Sequence, residues 1–162
     1  MEDGAEYTGL DISPTLVEGA NNNLATYPSA HIIHGDMRNF QLNKKFDLIF
    51  VGFNAFLHLL YDEDAVNCMD SVTKHMHETS RFVIDMFIPN PLFLYRPEGV
   101  RFPVLEYTDS ASEEIVQVEE SNIYDPDTEI NRITWYFSSQ EKKDFVKKSK
   151  EYSSIGEIIN QA

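Results

Sequence analysis

The stretch AEYTGLD, residues 5–11, is a short apolar strand that ends in an acid and passes straight into a capped helix. Ser13 suits an N-cap, Pro14 suits the first helical position, and Leu16, Val17 and Ala20 give the helix an apolar stripe. AHIIHGD, residues 30–36, reads as a second short strand ending in Gly-Asp, and FDLIFVGF, residues 46–53, is apolar almost throughout. A strand of that kind suits a parallel sheet covered by helices on both faces. After it, Val66, Met69, Val72 and Met76 recur at helical spacing behind the acids Asp62, Glu63 and Asp64, which complement a helix dipole. RFVIDMF, residues 81–87, is a further buried-type strand. The order strand, helix, strand, strand, helix, strand predicts a doubly wound α/β sheet.

The pattern changes at PNPLFLYRPEG, residues 89–99, whose prolines predict a loop. Three partly alternating segments follow, VRFPVLEYTD, EEIVQVEESNIYD and TEINRITWYFSS, with a strong turn at Asp125-Pro126-Asp127 between the last two. They predict an antiparallel meander with one wet face, inserted beside the parallel sheet. KKDFVKKSK, residues 142–150, is read as a solvated helix face or linker rather than a basic patch. Ser154 and Glu157 have capping-box spacing ahead of a closing helix. The expected organisation is one domain over 1–162: an α/β core at 1–91, an antiparallel insertion at 92–140 and a helical segment at 141–162.

Composition narrows the partners. The formal charge of -14 comes from 27 acids against 13 bases, and the span 102–131 holds acids without a single Lys or Arg. Such a surface repels phosphate backbones, so no nucleic acid is expected. A single cysteine, Cys68, excludes an internal disulfide, and no apolar run has membrane-spanning length. A soluble, reducing, cytoplasmic setting is the expectation. His31 with His34, and His75 with His77, are spaced so that neither pair shares a face, so no metal site is expected.

In doubly wound folds ligands gather at the carboxyl ends of the strands, where Asp11 and Asp36 would both lie. Asp11 is either a ribose acceptor or a turn former; Asp36 could accept from an exocyclic amine, with Met37 against the ring face. Arg96 and Arg101 either clamp a substrate carboxylate or sit in solvent. The aromatic set Tyr95, Phe102, Tyr107, Trp135, Tyr136 and Phe137 should divide between core and pocket.

Taken together, GAEYTGLDISPTLVEGA, IIHGDMRNFQL, KFDLIFVGFNAFLHL and RFVIDMFIPNP resemble, in order and spacing, the second to fifth strands of class I S-adenosylmethionine-dependent methyltransferases of the small-molecule type. The resemblance implies a Rossmann-like core, incomplete because the first strand with its glycine-rich loop and the C-terminal strand pair have no counterpart here. It implies that Asp11 binds the ribose of S-adenosylmethionine, that Ile12, Asp36 and Met37 surround the adenine, and that Asn54 lies near the sulfonium. His58 is the candidate base, with a packed histidine as the alternative; Arg96, Arg101, Tyr107 and Trp135 are candidates for the acceptor. In the family's strand order the first strand separates the second from the fourth. Its loss leaves three expectations: a fragment of a longer protein, a second copy or partner chain completing the sheet, or re-paired strands. A small-molecule methyltransferase is one reading; an inactive methyltransferase-like remnant used in binding or assembly is the other.

Overall fold

The computed structural model describes residues 4–139 and 146–153, which form two compact units. Of the described residues, the first unit comprises 4–50 and 63–83, the second 51–62, 84–139 and 146–153.

In the first unit β1, Tyr7–Asp11, pairs in parallel with β2, Ala30–His34, from Tyr7 opposite Ala30 to Asp11 opposite His34. The intervening helix α1, Pro14–Asn23, starts as its sequence dictates: the Ser13 hydroxyl accepts from the Leu16 N–H at 3.4 Å, and Pro14 occupies the first turn. Asn21 fastens α1 to β2, donating to the Ile32 carbonyl at 2.9 Å and accepting from the Ile32 N–H at 2.8 Å. That pairing satisfies an outer backbone edge of β2. Gly9 permits the close approach of strand side chains, since a Cβ there would lie 2.5 Å from Ile32 Cδ1.

β3, Phe46–Val51, pairs with β4, Met76–Ile84, and the helix between them is α2, Asp62–Lys74. Here the expected stripe is kept at Val72 and shifted by one residue before it. Ala65, Cys68, Ser71 and Val72 are buried, whereas Val66 and Met69 are exposed and Met76 already belongs to β4. Small side chains let the helix backbone approach its neighbours, and the Ser71 hydroxyl donates to the Arg38 carbonyl at 3.1 Å from that same face. His75 ends the helix buried, with Nδ1 donating to the Ser71 carbonyl at 2.6 Å and Nε2 accepting from the Leu42 N–H at 2.8 Å. Both ring nitrogens are thus in structural use.

The single sheet expected for the core is instead two strand pairs. Among the described residues β1 pairs only with β2 and β3 only with β4, so the strands have not re-paired. Tyr7, Leu48 and Phe50 stand more than half exposed on these strands.

The second unit carries the meander as an antiparallel sheet in the order β5, Phe102–Thr108, β6, Ile115–Asp125, β7, Ile130–Ser138, and β8, Val146–Ser153. The β6–β7 turn forms where the sequence places it, the Asp125 carboxylate accepting from the Asp127 N–H at 2.9 Å. Two expectations fail. Residues 146–153 are a strand paired with β7 rather than part of a helix or linker. A lysine-rich sequence is acceptable there because β8 is a sheet edge, where charge opposes further pairing. The proline-rich segment holds a short helix, α3, Pro91–Leu94, capped by Asn90 accepting from the Leu92 N–H at 2.8 Å. A 3-10 turn, Ala55–His58, completes this unit. The capping box at Ser154 and Glu157 lies outside the described residues.

Candidate functional site

The first unit brings four of the expected residues to one edge. The Asp11 carbonyl accepts from the Gly35 N–H at 3.0 Å, one step beyond the last paired residues, and the Ile12 carbonyl accepts from the His34 ring at 3.1 Å. Asp11 and Ile12 therefore leave β1 beside Gly35, Asp36 and Met37 as these leave β2, at the carboxyl ends of both strands. Gly35 is suited to that approach, because a Cβ would lie 2.6 Å from Leu10 Cδ1.

The two acids differ in what remains open to them. Asp11 Oδ1 accepts from the Ser13 N–H at 2.8 Å, which is its one side-chain hydrogen bond among the described residues. Oδ2 keeps its acceptor capacity. A cavity of about 500 Å3, lined by Asp11, Gly9, Leu10, Thr15 and Leu16 among others, opens beside it. Asp36 is engaged on both oxygens by Arg38, through the backbone N–H and Nε on Oδ1 and through Nε and Nη2 on Oδ2. Arg38 also reaches Asp64 at 3.1 Å. The hydrogen bonds from Arg38 hold the Asp36 carboxyl below the usual carboxylate range, outweighing its burial, and the two acids raise the guanidinium in turn. Arg38 stands two residues from Asp36 in GDMRNF, but only the fold adds Asp64.

Cys68 is fully buried on α2, and desolvation, helped by the charge of Asp36, pushes its thiol up to about 11. It is a packed side chain. Among the described residues no three His, Cys, Asp or Glu side chains gather as a metal site.

The remaining expected residues lie in the second unit. Asn54 and Phe53 both adopt left-handed backbone, at φ 60° and 53°, and Phe53 is almost wholly exposed. For a phenylalanine this is strained geometry of the kind that marks functional turns. It is held by Asn54 Oδ1 accepting from the Phe87 N–H at 2.7 Å and by the Asn54 N–H donating to the Asp85 carbonyl at 3.2 Å. His58 stacks on Tyr152 with ring centroids 4.7 Å apart. Partial burial there, aided by the charge of Lys150, holds the imidazole below the usual histidine range against a weaker opposite pull from the Glu151 backbone.

The acceptor candidates divide between the two faces of the sheet. Glu120 is opposite Phe102 and Trp135, and Val116 is opposite Tyr107, so Tyr107, Glu120 and Trp135 share a face. Arg96 joins them by pairing with Glu120 at 2.9 Å. Arg101 instead lies over the ring of Tyr136, 3.6 Å from its centroid, and 3.7 Å from Glu119, on the other face. Both arginines have carboxylate partners of their own, so neither is the free cation that a carboxylate clamp requires. Nothing in the local sequence singles out Glu120 or Tyr152. The acid-rich span contained the first, but alternation alone did not distinguish it from its exposed neighbours.

Residues 1–79 match a family model described as a methyltransferase domain. The fold is that of a methyltransferase. An S-adenosylmethionine-dependent methyltransferase from Clostridium acetobutylicum superposes with a TM-score of 0.72 at 17% identity, over 97% of this chain and 61% of its own. The CcbJ methyltransferase from Streptomyces caelestis gives 0.71 at 18% identity, over 93% and 58%. An amino pentose methyltransferase from Micromonospora echinaspora, involved in calicheamicin biosynthesis and solved with S-adenosylmethionine bound, gives 0.72 at 14% identity, over 96% and 62%. The chain thus spans 58% to 62% of the length of these methyltransferases. No curated protein sequence matches it significantly. Within this fold, Asp11 and Gly35 stand where β1 and β2 end at their carboxyl side. None of the described helices is long and apolar enough to cross a membrane.

Proposed function

We propose that this chain belongs to an S-adenosylmethionine-dependent enzyme that methylates a small-molecule acceptor. The observation that carries the reading is the hydrogen bond from the Gly35 N–H to the Asp11 carbonyl, which brings Asp11 at the end of β1 and Asp36 just past the end of β2 to one edge, with an open cavity beside Asp11.

The residues fit the nucleoside in part. Asp11 has an unengaged carboxylate oxygen for a ribose hydroxyl, and the exposed Ile12 side chain offers an apolar surface to the adenine. Asp36 fits less well, because Arg38 fills its acceptor positions; Met37 remains the candidate for ring contact. S-adenosylmethionine, when bound, supplies a methyl group already activated by the sulfonium. The protein's share is to orient the acceptor and exclude water, with the His58 imidazole, whose pKa partial burial lowers, as the base that takes the acceptor's proton. Asn54 presents the strained turn beside which the acceptor would be held. The acidic surface favours a small acceptor over nucleic acid.

The saturated Asp36 carboxylate favours the second reading, a methyltransferase-like remnant without activity. Calorimetric titration with S-adenosylhomocysteine separates the two. The enzyme reading predicts saturable heat, a rise in melting temperature, and loss of most binding in Asp11→Ala. Absence of both heat and thermal shift at millimolar ligand would remove it.

A further inference from the structure

Two of the acceptor candidates on one face of the second unit's sheet, Arg96 and Trp135, flank an acid, not a free base. Glu120 lies mid-strand in β6 with its side chain 16% exposed, flanked in register by Phe102 on β5 and Trp135 on β7. Its Oε1 accepts from Arg96, whose guanidinium is held between the rings of Phe93 and Phe102, 4.6 and 4.4 Å from their centroids. Arg96 is thereby fixed, and so is the carboxylate it touches. Oε2 has no hydrogen bond among the described residues. From Trp135 the aromatic surface continues, edge to face, to Tyr152 at 6.4 Å and on to His58.

We infer that this face binds the methyl acceptor and that Glu120 recognises a cationic amine on it, with Trp135 as the adjoining aromatic wall. The inference deepens the methyl-transfer reading above and rests on it for the word acceptor. An ammonium group gains twice here, from a charge-assisted hydrogen bond to Oε2 and from the negative face of the indole. The surrounding span 102–131 carries acids and no Lys or Arg, so its field draws cations toward the face. The lysines that β8 contributes to this face, Lys148 and Lys150, are exposed, and Lys148 Nζ is drawn 5.9 Å over Phe137. A carboxylate-bearing acceptor would meet Glu120 itself and be repelled.

The competing account is that the ion pair only fastens the segment after α3 to β6. Trp135 separates the two, being the single tryptophan of the chain and so a fluorescence reporter placed beside Glu120. The full chain is titrated with matched probes at a pH where the amines are protonated: D-glucosamine against D-glucose, and benzylamine against benzyl alcohol. The inference predicts saturable Trp135 quenching by the amine of at least one pair and at least about tenfold weaker binding of its alcohol. Glu120→Gln should lose that preference, while Arg96→Met, which keeps the carboxylate, should retain it. Amines that bind no better than their alcohols overturn the inference from the unmodified chain alone, so it stays testable if Glu120→Gln does not fold. A folded Glu120→Gln that keeps the preference overturns it as well. S-adenosylhomocysteine binding is measured in parallel. Its absence beside an intact amine preference counts against the methyl-transfer reading and not against this site.

Discussion

The guanidinium of Arg38 lies across the carboxylate of Asp36, with Nη2 2.6 Å from Oδ2 and Nε 3.0 Å from both oxygens. This contact depresses the Asp36 pKa, chiefly through the side-chain hydrogen bonds, and a depressed acid stabilises the fold above its unfolded pKa. The contribution is lost as pH falls through the folded value. In Arg38→Met the depression disappears. The stability gap between wild type and variant should therefore stay constant above about pH 5 and narrow below about pH 4, by urea unfolding across that range. A gap that does not change with acid would contradict the assignment.

His75 ties the end of α2 to the chain at Leu42, one ring nitrogen donating and the other accepting. Replacing it with Ala strands a buried N–H and a carbonyl, which should cost about 1–3 kcal/mol in chemical denaturation. Binding of S-adenosylhomocysteine should stay unchanged once the variant is folded. Weakened ligand binding at full stability would mean that this histidine has a role beyond packing.

Cys68 combines complete burial with a pKa near 11, so the folded chain offers almost no thiolate to solvent. Labelling by an aromatic disulfide reagent should be slow in buffer and fast in denaturant. Rapid stoichiometric labelling of the folded chain would show that α2 opens readily from its neighbours.

The open edges of β1 and β3, with Tyr7, Leu48 and Phe50 exposed on them, invite pairing between copies. Light scattering should show a mass above the monomer that rises with concentration. A clean monomer over a wide concentration range would remove self-association as the way these edges are managed.

Features written in local chemistry were legible in the sequence. The Ser13 cap, the acid ending β1 and the Asp125 turn depend on neighbours within a few residues, and each forms where the sequence predicts it, whereas β2 stops at His34, two residues short of Asp36. Features decided by distant partners were not. The buried stripe of α2 runs through Ala65, Cys68 and Ser71 because of what packs against it, whereas a periodicity count follows the larger Val66 and Met69. β8 has no apolar alternation to announce it and exists through its pairing with β7. Arg96 and Arg101 read as free cations until the fold placed Glu120 and Glu119 beside them. The same holds for Asp36, whose acceptor capacity depends on where Arg38 turns.

The strand ends at Asp11 and Gly35 are proposed above as a nucleoside site. Amide chemical shifts of the 15N-labelled chain, titrated with S-adenosylhomocysteine, test it most directly. The account predicts the largest shifts at Asp11, Ile12, Gly35, Asp36 and Met37, with most of them lost in Asp11→Ala. Saturable binding that shifts other residues and leaves these five amides in place would contradict it.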